Sequence, residues 1–378
     1  MKTHNSYNNS FFCTKPWTSF EINDHKGNIK PCCWSVFSCG NINNSSIEDI
    51  WNNLAYQDMR KFMIKGQLDA ICAIDCPYRV GEHQDIKYPK PFSEIFTKNK
   101  LLQLKEIKEK EIILKSKPTI MSIVPSIECN RHCSICYLNH NDSVELPSEI
   151  FSIIESYFPV LQELWIVGGE PLISKRCLNL IETIDNDLYP DLHLGLITNG
   201  TCISKEVFTL LNKVKISWIL VSIDAAKEST YRKIRGGNLN NIIDNVKILK
   251  SIRDKQKKPW NLKIGFIIMK SNIDELFKFV DLAVELDVNV QFAPIFGNNH
   301  NESFYEDITL MNIVRTSLLE LGNYLERNGM RKIRINRVSA KIDALLLSKQ
   351  IKNSNELMFF DGDESIDYEK WRNLFIDK

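Results

Sequence analysis

The 378-residue chain has no surplus of charge of either sign: 48 Lys and Arg face 47 Asp and Glu, a formal charge of +1. Sequence-independent binding of nucleic acid needs a basic excess and is therefore disfavoured. No uninterrupted apolar run approaches the roughly 20 residues of a membrane-spanning helix. The best candidates are short strands such as 216–223. The first twelve residues are polar and lack the apolar segment of a secretory signal, and no internal repeat or low-complexity tract is present. A secreted disulfide scaffold, a fibrous fold and disorder are thereby disfavoured, and a cytoplasmic protein with no membrane partner is expected. What is there is an ordinary globular composition, 43% hydrophobic and 25% charged. It suits a well-buried core and, as a soft prior, about two to three domains.

Eleven cysteines stand out against that background. In a reducing compartment, cysteines at fixed spacings read first as metal or cluster ligands. Cys129-Asn-Arg-His-Cys133-Ser-Ile-Cys136 is a CxxxCxxC loop directly after the apolar stretch 120–127. Three thiolates can hold three corners of a cubane, whereas a structural zinc or an electron-carrying 4Fe-4S centre takes four protein ligands. No fourth cysteine lies nearby, which leaves one iron open to an exogenous ligand. The alternative at this point is a zinc site completed by His132. An earlier group comprises Cys13, Cys32, Cys33, Cys39, Cys72 and Cys76, while Cys177 and Cys202 fit strand–helix packing as small hydrophobes.

After the loop the chain alternates. Strand-like runs are predicted at 119–125, 163–167, 193–198, 215–222, 263–269 and 289–293, with helical patterns at 147–158, 174–187, 204–213, 240–253 and 272–286. Nearly continuous apolar strands separated by helices imply a parallel sheet covered by helices, either open or closed into a partial barrel. Chemistry then belongs at the carboxyl ends of the strands. Four such ends carry punctuated residues: the cysteine loop, Gly168-Gly169-Glu170-Pro171, Thr198-Asn199-Gly200 and Ser222-Ile223-Asp224. Paired glycines allow close approach of backbone to a ligand, and Glu170 can accept from an ammonium.

This set of motifs, in this order, resembles the radical S-adenosylmethionine (SAM) superfamily, and within it the SPASM and twitch group. The resemblance runs from Ser126 to about Pro294 and includes Tyr231 to Gly237, Met269 to Asn272 with Glu275, and Phe292-Ala293-Pro294. It implies an α/β fold: a partial (β/α)6 TIM-like barrel over 118–300, after a linker with a helix over 86–117 and before a helical extension over 301–378. It also implies roles for individual residues. Cys129, Cys133 and Cys136 would bind a 4Fe-4S cluster whose open iron takes SAM. Gly168, Gly169 and Glu170 would hold the methionine amino group. Ile135 would pack on the adenine, and Asn199, Ser222, Asp224 and Arg235 would complete the SAM pocket.

The amino-terminal segment resembles a twitch or SPASM module, with Cys13 to Trp17, Pro31-Cys32-Cys33, Gly40-Asn41-Ile42, Ile50-Trp51-Asn52 and the pair Cys72 and Cys76. The family usually places that module after the barrel; here, within 1–85, it comes first. Cys13, Cys32, Cys72 and Cys76 would bind an auxiliary 4Fe-4S cluster, with Cys33 or Cys39 as substitutes and a zinc site as the alternative. The activity implied is reductive cleavage of SAM to a 5'-deoxyadenosyl radical that abstracts hydrogen from a substrate. A peptide, in maturation of a ribosomally made precursor, is the first expectation, and oxidation of a small molecule such as a sugar or aminoglycoside is the second. A small electron donor such as flavodoxin or ferredoxin would be a partner. The non-enzymatic alternative is a binding protein stabilised by zinc or clusters.

Overall fold

The computed structural model describes residues 12–73, 76–79, 92–136, 138, 145–256, 260–295, 301–327, 338–339, 341–343, 346 and 367–376. The amino-terminal module contains α1 (Lys15–Thr18), β1 (Ser19–Ile22), β2 (Asn28–Lys30), β3 (Gly40–Asn41), α2 (Ile47–Trp51) and α3 (Leu54–Ile64). Then come α4 (Glu94–Glu109), β4 (Ile120–Ile123), α5 (Ser148–Glu155), β5 (Glu163–Ile166), α6 (Lys175–Glu182), β6 (His193–Thr198), α7 (Lys205–Lys213) and β7 (Ile216–Ser222). The chain continues through α8 (Glu228–Ile234), α9 (Leu239–Lys255), β8 (Asn261–Ile268), α10 (Leu276–Leu286), β9 (Asn289–Pro294), α11 (Ile308–Arg327) and α12 (Tyr368–Phe375).

One nine-stranded sheet runs through the molecule in the order β3-β2-β1-β4-β5-β6-β7-β8-β9. Strands β4 to β9 pair in parallel and in sequence, and helices α5 to α10 fill the connections, as the α/β alternation requires. The outward side chains of the strands, among them Leu164, Ile166, Leu196, Ile219 and Ile264, are buried under those helices. Serines cap several of the helices: Ser174 and Ser204 each accept from the backbone N–H three residues on, which meets one of the unpaired donors of a first helical turn.

The module does not stand apart from this sheet. Strand β1 pairs in parallel with β4, Glu21 opposite Ser122, and β2 and β3 extend the edge as antiparallel strands. The six strands expected from apolar runs thus become nine. β1 was not expected as a strand because Ser19 to Ile22 is too short to show alternation.

The sequence is charged and helix-prone over 101–115, with a Lys/Glu alternation that reads as a solvated face, yet helix α4 starts earlier, at Glu94, because Ser93 caps it and Asp191 accepts from the N–H groups of Phe92 and Ser93. Nor is its Lys/Glu pattern wholly solvated. Gln103 donates to the Trp17 carbonyl, and buried Glu106 accepts from the N–H of Lys115 and from Ser116. Within the 301–378 extension the sequence also suggests a strand over 332–338 and a helix from 339, and both lie mostly outside the described residues.

Arg60 fastens the module to its surroundings. Its fully buried guanidinium lies 4.8 Å over the Trp51 ring and donates to three carbonyls: Pro16 at 3.0 Å, Ile112 at 2.8 Å and Trp51 at 2.9 Å. These tie α3 to α1, α2 and the segment after α4. Arg60→Met keeps the bulk and strips three buried carbonyls of their donor, so it should cost about 3 kcal/mol or more. Thermal unfolding of the variant should show a clearly lowered midpoint; an unchanged midpoint would mean that water replaces the guanidinium.

Candidate active site

The direction of the strands puts the two cysteine groups at opposite ends of one sheet. The loop with Cys129, Cys133 and Cys136 follows the carboxyl end of β4. Because β1 runs parallel to β4 and β2 antiparallel to β1, the segment before β1 and the segment after β2 both fall at the amino ends of the barrel strands. Cys13 lies in the first segment and Cys32 in the second.

At the carboxyl end, the cysteine loop is packed backbone to backbone against its neighbours. Gly169 N–H donates to the Ser126 carbonyl at 3.1 Å and Glu170 N–H to the Glu128 carbonyl at 2.7 Å. A Cβ on Gly169 would lie 2.1 Å from the Glu128 oxygen, so only glycine allows this approach. Asn199, after β6, donates from its side chain to Asn130 Oδ1 at 2.9 Å and approaches Cys129 Sγ at 3.7 Å. Asn130 in turn donates to Thr201 Oγ1 at 2.8 Å and to Cys202 Sγ at 3.3 Å, so Cys202 touches the CxxxCxxC loop and is more than filler. Glu170 is buried, and burial raises its pKa. Donors from Thr198 Oγ1 and from the N–H of Leu172 and Asn199 oppose that shift, and they fix the end of β6 to the glycine turn.

Asp224 is the second hub. It stands in the left-handed region at φ +63° and is 1% exposed. Oδ2 accepts from Arg235 Nε at 2.6 Å, Oδ1 accepts from the Ile267 N–H at 2.7 Å, and its carbonyl accepts from Asn272 Nδ2 at 2.9 Å. Arg235 reaches Cys133 Sγ at 3.8 Å, placing a guanidinium beside the CxxxCxxC loop. Glu275, also buried, accepts from the N–H groups of Ala226 and Lys227 and from Thr230 Oγ1. The ends of β7 and β8 are therefore locked by carboxylates and an amide. Ser222 faces the barrel interior, half-buried, and Ile135 sits in a small apolar group with Ile234, Met269 and Ile295 beside Cys133.

At the amino end, Cys13, Cys32, Cys72 and Cys76 line one cavity of about 630 Å³. An isolated bridge between Ser35 and Cys72 joins the segment after Cys32 to the one that carries Cys72 and Cys76. Burial pushes the Cys13 thiol up to about 12 and holds Cys32 and Cys72 well above the usual thiol range. Such thiols stay protonated until a metal displaces the proton. Among the described residues no three His, Cys, Asp or Glu side chains converge at the spacing of one metal ion. A cubane asks for something else, since each thiolate meets its own iron at a separate corner. Four thiols around a common cavity fit that demand. Cys39 is buried beside Arg60 and Lys30, while Cys33 is exposed at the cavity rim.

Between the two ends, the sheet's inner face carries a row that the sequence did not announce. Ser122, Trp165, Gly195, Trp218 and Asn261 are register partners on successive strands. The Trp165 and Trp218 rings meet edge to face at 5.6 Å, and a Cβ on Gly195 would come within 2.6 Å of both. Both indoles hydrogen-bond to buried Glu163. The Lys15 ammonium lies 4.2 Å from the Trp165 centroid and that of Lys263 5.2 Å from Trp218. Two tryptophans at equal depth on strands two apart are the signal that could have disclosed this row.

A model of the radical SAM superfamily matches residues 123–283, and a model of the SPASM iron-sulfur cluster-binding domain matches residues 13–77. Among curated relatives, GTP 3',8-cyclase of Limosilactobacillus fermentum is 27% identical over 195 residues, 48% of this chain and 56% of that protein. An S-adenosylmethionine-dependent nucleotide dehydratase of Flammeovirga pacifica is 28% identical over 232 residues, 57% of this chain and 76% of that protein. For the first relatives the chain spans less than two thirds of their length, 56% and 61%. The solved structure of Streptococcus suis SuiB bound to S-adenosylmethionine is 18% identical, with a TM-score of 0.48 over 71% of this chain and 59% of that one.

Gly169→Ala should keep the helical content of the protein while displacing the cysteine loop, so reconstituted protein should lose about half its iron. Iron analysis beside circular dichroism checks this; full iron content would contradict the close approach. The chain thus carries a radical SAM superfamily domain at residues 123–283 and, ahead of it, a SPASM iron-sulfur cluster-binding domain at residues 13–77.

Proposed function

We propose that this chain is an enzyme that cleaves SAM reductively at the Cys129, Cys133 and Cys136 cluster and abstracts hydrogen from a compact substrate held in the barrel, between that cluster and an auxiliary one. Bound to those three thiolates, a 4Fe-4S cluster with SAM supplies a 5'-deoxyadenosyl radical. The protein contributes position and shelter. Gly168, Gly169 and Glu170 would edge the methionine of SAM, Ser222 offers a hydroxyl from β7, and Ile135 offers an apolar face beside Cys133. Asp224 would serve by holding Arg235 against the cluster loop, and Asn199 by steadying Cys129.

The observation that carries the reading is the shared inner face: a cavity of about 630 Å³, lined at one end by Cys13, Cys32, Cys72 and Cys76, runs past Trp165 and Trp218 to Val124 and Val167, which directly follow the strands whose carboxyl ends carry the other cysteine loop and the glycine turn. A radical that attacks an unactivated C–H bond needs an enclosed site without competing donors or water. With the thiol-lined end given to the auxiliary cluster, the part left for substrate lies along Trp165, Trp218 and Trp260. It takes a small molecule or a single side chain of a peptide. Its lining is mixed, with tryptophans, Lys263, Asn289 and Gln291, and the buried Trp260 indole N–H has no hydrogen-bond partner among the described residues. A polar substrate with an acceptor near a flat apolar portion suits it. The relatives named for GTP and nucleotide chemistry act on substrates of that kind. A small flavin or iron-sulfur carrier, such as flavodoxin or ferredoxin, would deliver the electron, and a cytoplasmic setting would keep the eleven free cysteines reduced.

Anaerobically reconstituted protein given SAM and dithionite should release 5'-deoxyadenosine, and the combined Cys129→Ala, Cys133→Ala, Cys136→Ala variant should not. Persistent release from that variant would move the active cluster elsewhere. Cys72→Ala with Cys76→Ala should lower the iron from about eight to about four per chain and leave some uncoupled SAM cleavage; unchanged iron would refute the auxiliary assignment.

A further inference from the structure

We propose that Lys15 is the charge-compensating residue of the auxiliary cluster and raises its reduction potential. The inference rests on Cys13, Cys32, Cys72 and Cys76 being that cluster's ligands. Lys15 opens α1, two residues after Cys13, and is 7% exposed. It lines the same cavity as the four cysteines, with Cys32 in electrostatic reach.

Four cations lie at or beside this cavity among the described residues, and three are engaged elsewhere: Lys263 lies over the Trp218 ring and acts on Glu163, and the other two hold backbone carbonyls. Lys30 Nζ donates to the Ser35 carbonyl at 3.2 Å. Arg79 donates to the Cys72 carbonyl at 3.2 Å and is paired with Asp69. Lys15 makes neither a hydrogen bond nor an ion pair among the described residues. Tyr78, Glu21 and Glu163 act on it through space, and its one ring contact is the face of Trp165, itself clamped by Glu163. Such an ammonium, buried and in direct contact with no anion, gains from any further negative group placed in the cavity beside it.

A cluster with four thiolates is that negative partner. When it takes an electron it gains one more negative charge, and a fixed ammonium in a low-dielectric cavity stabilises the reduced form more than the oxidised one. Lys15 therefore biases the auxiliary cluster towards accepting an electron. The Trp165–Glu163–Trp218 group that positions it also borders the space proposed for substrate.

The test uses the full-length holoprotein without substrate: potentiometric titration followed by EPR, for wild type and for Lys15→Met, Lys15→Gln and Lys15→Arg, each with its iron content. At the wild-type auxiliary midpoint, the neutral variants should have a reduced-to-oxidised ratio about tenfold smaller, which for a one-electron couple is about 59 mV lower. Lys15→Arg should stay near wild type, and the SAM-binding cluster should not move. Neutral variants with full iron and an unmoved midpoint would overturn the proposal. Loss of about half the iron in both neutral variants, with Lys15→Arg fully loaded, would support it as a requirement for the charge. The same loss in all three would overturn it, since packing and not charge would then be the role. Wild-type protein with only about four irons would sink the cluster assignment itself, and the inference with it.

Discussion

The parallel pairing of β1 with β4 is the constraint on which the rest of the architecture depends. It makes the cysteine-rich module part of the barrel's own sheet. Strand polarity then fixes where the sulfur atoms go, because the residues leading into β1 and those leaving β2 must lie at the amino ends of the barrel strands. The CxxxCxxC loop, placed after β4, must lie at the opposite ends. A module at the front of the chain thereby reaches the floor of the barrel through the leading edge of the sheet. Chain order and spatial order are separable as long as an edge strand is free to pair.

At the carboxyl end, the CxxxCxxC loop is held by contacts that admit little substitution. The Gly168-Gly169 turn lies against its backbone, Asn199 and Asn130 tie it to the end of β6, and Arg235, oriented by Asp224, lies beside Cys133. Buried carboxylates do most of the fastening. Glu170, Asp224 and Glu275 each accept several hydrogen bonds from neighbouring strand ends, which offsets the cost of burying them. The result is a rigid rim around a site where placement of the reacting atoms decides the outcome.

Much of this was legible in the sequence. Each of the six predicted strands overlaps one of β4 to β9, because strands buried on both faces read as continuous apolar runs. The cysteine spacings, the glycine pair and the Ser222-Ile223-Asp224 turn stood out because they are short and local. What was not legible depends on register. Trp165 and Trp218 meet only because Gly195 between them has no side chain, and Lys15 looks like one more surface lysine until β1 is paired. Helix α8 was missed since Glu228–Ile234 is too short for a periodic signal, and α4 was shifted because its cap at Ser93 relies on Asp191, far along the chain. Glu163 reads as a strand-end charge and proves to be the acceptor for two indoles.

The central claim is that one sheet carries two iron-sulfur clusters at opposite ends and that only the one at the carboxyl end binds SAM. Mössbauer spectroscopy of protein reconstituted with isotopically enriched iron, with and without SAM, tests it most directly. The account predicts two 4Fe-4S clusters in equal amount, with SAM changing the signal of one unique iron in one cluster and leaving the other cluster untouched. A single cluster per chain, or two clusters that both ignore SAM, would contradict it.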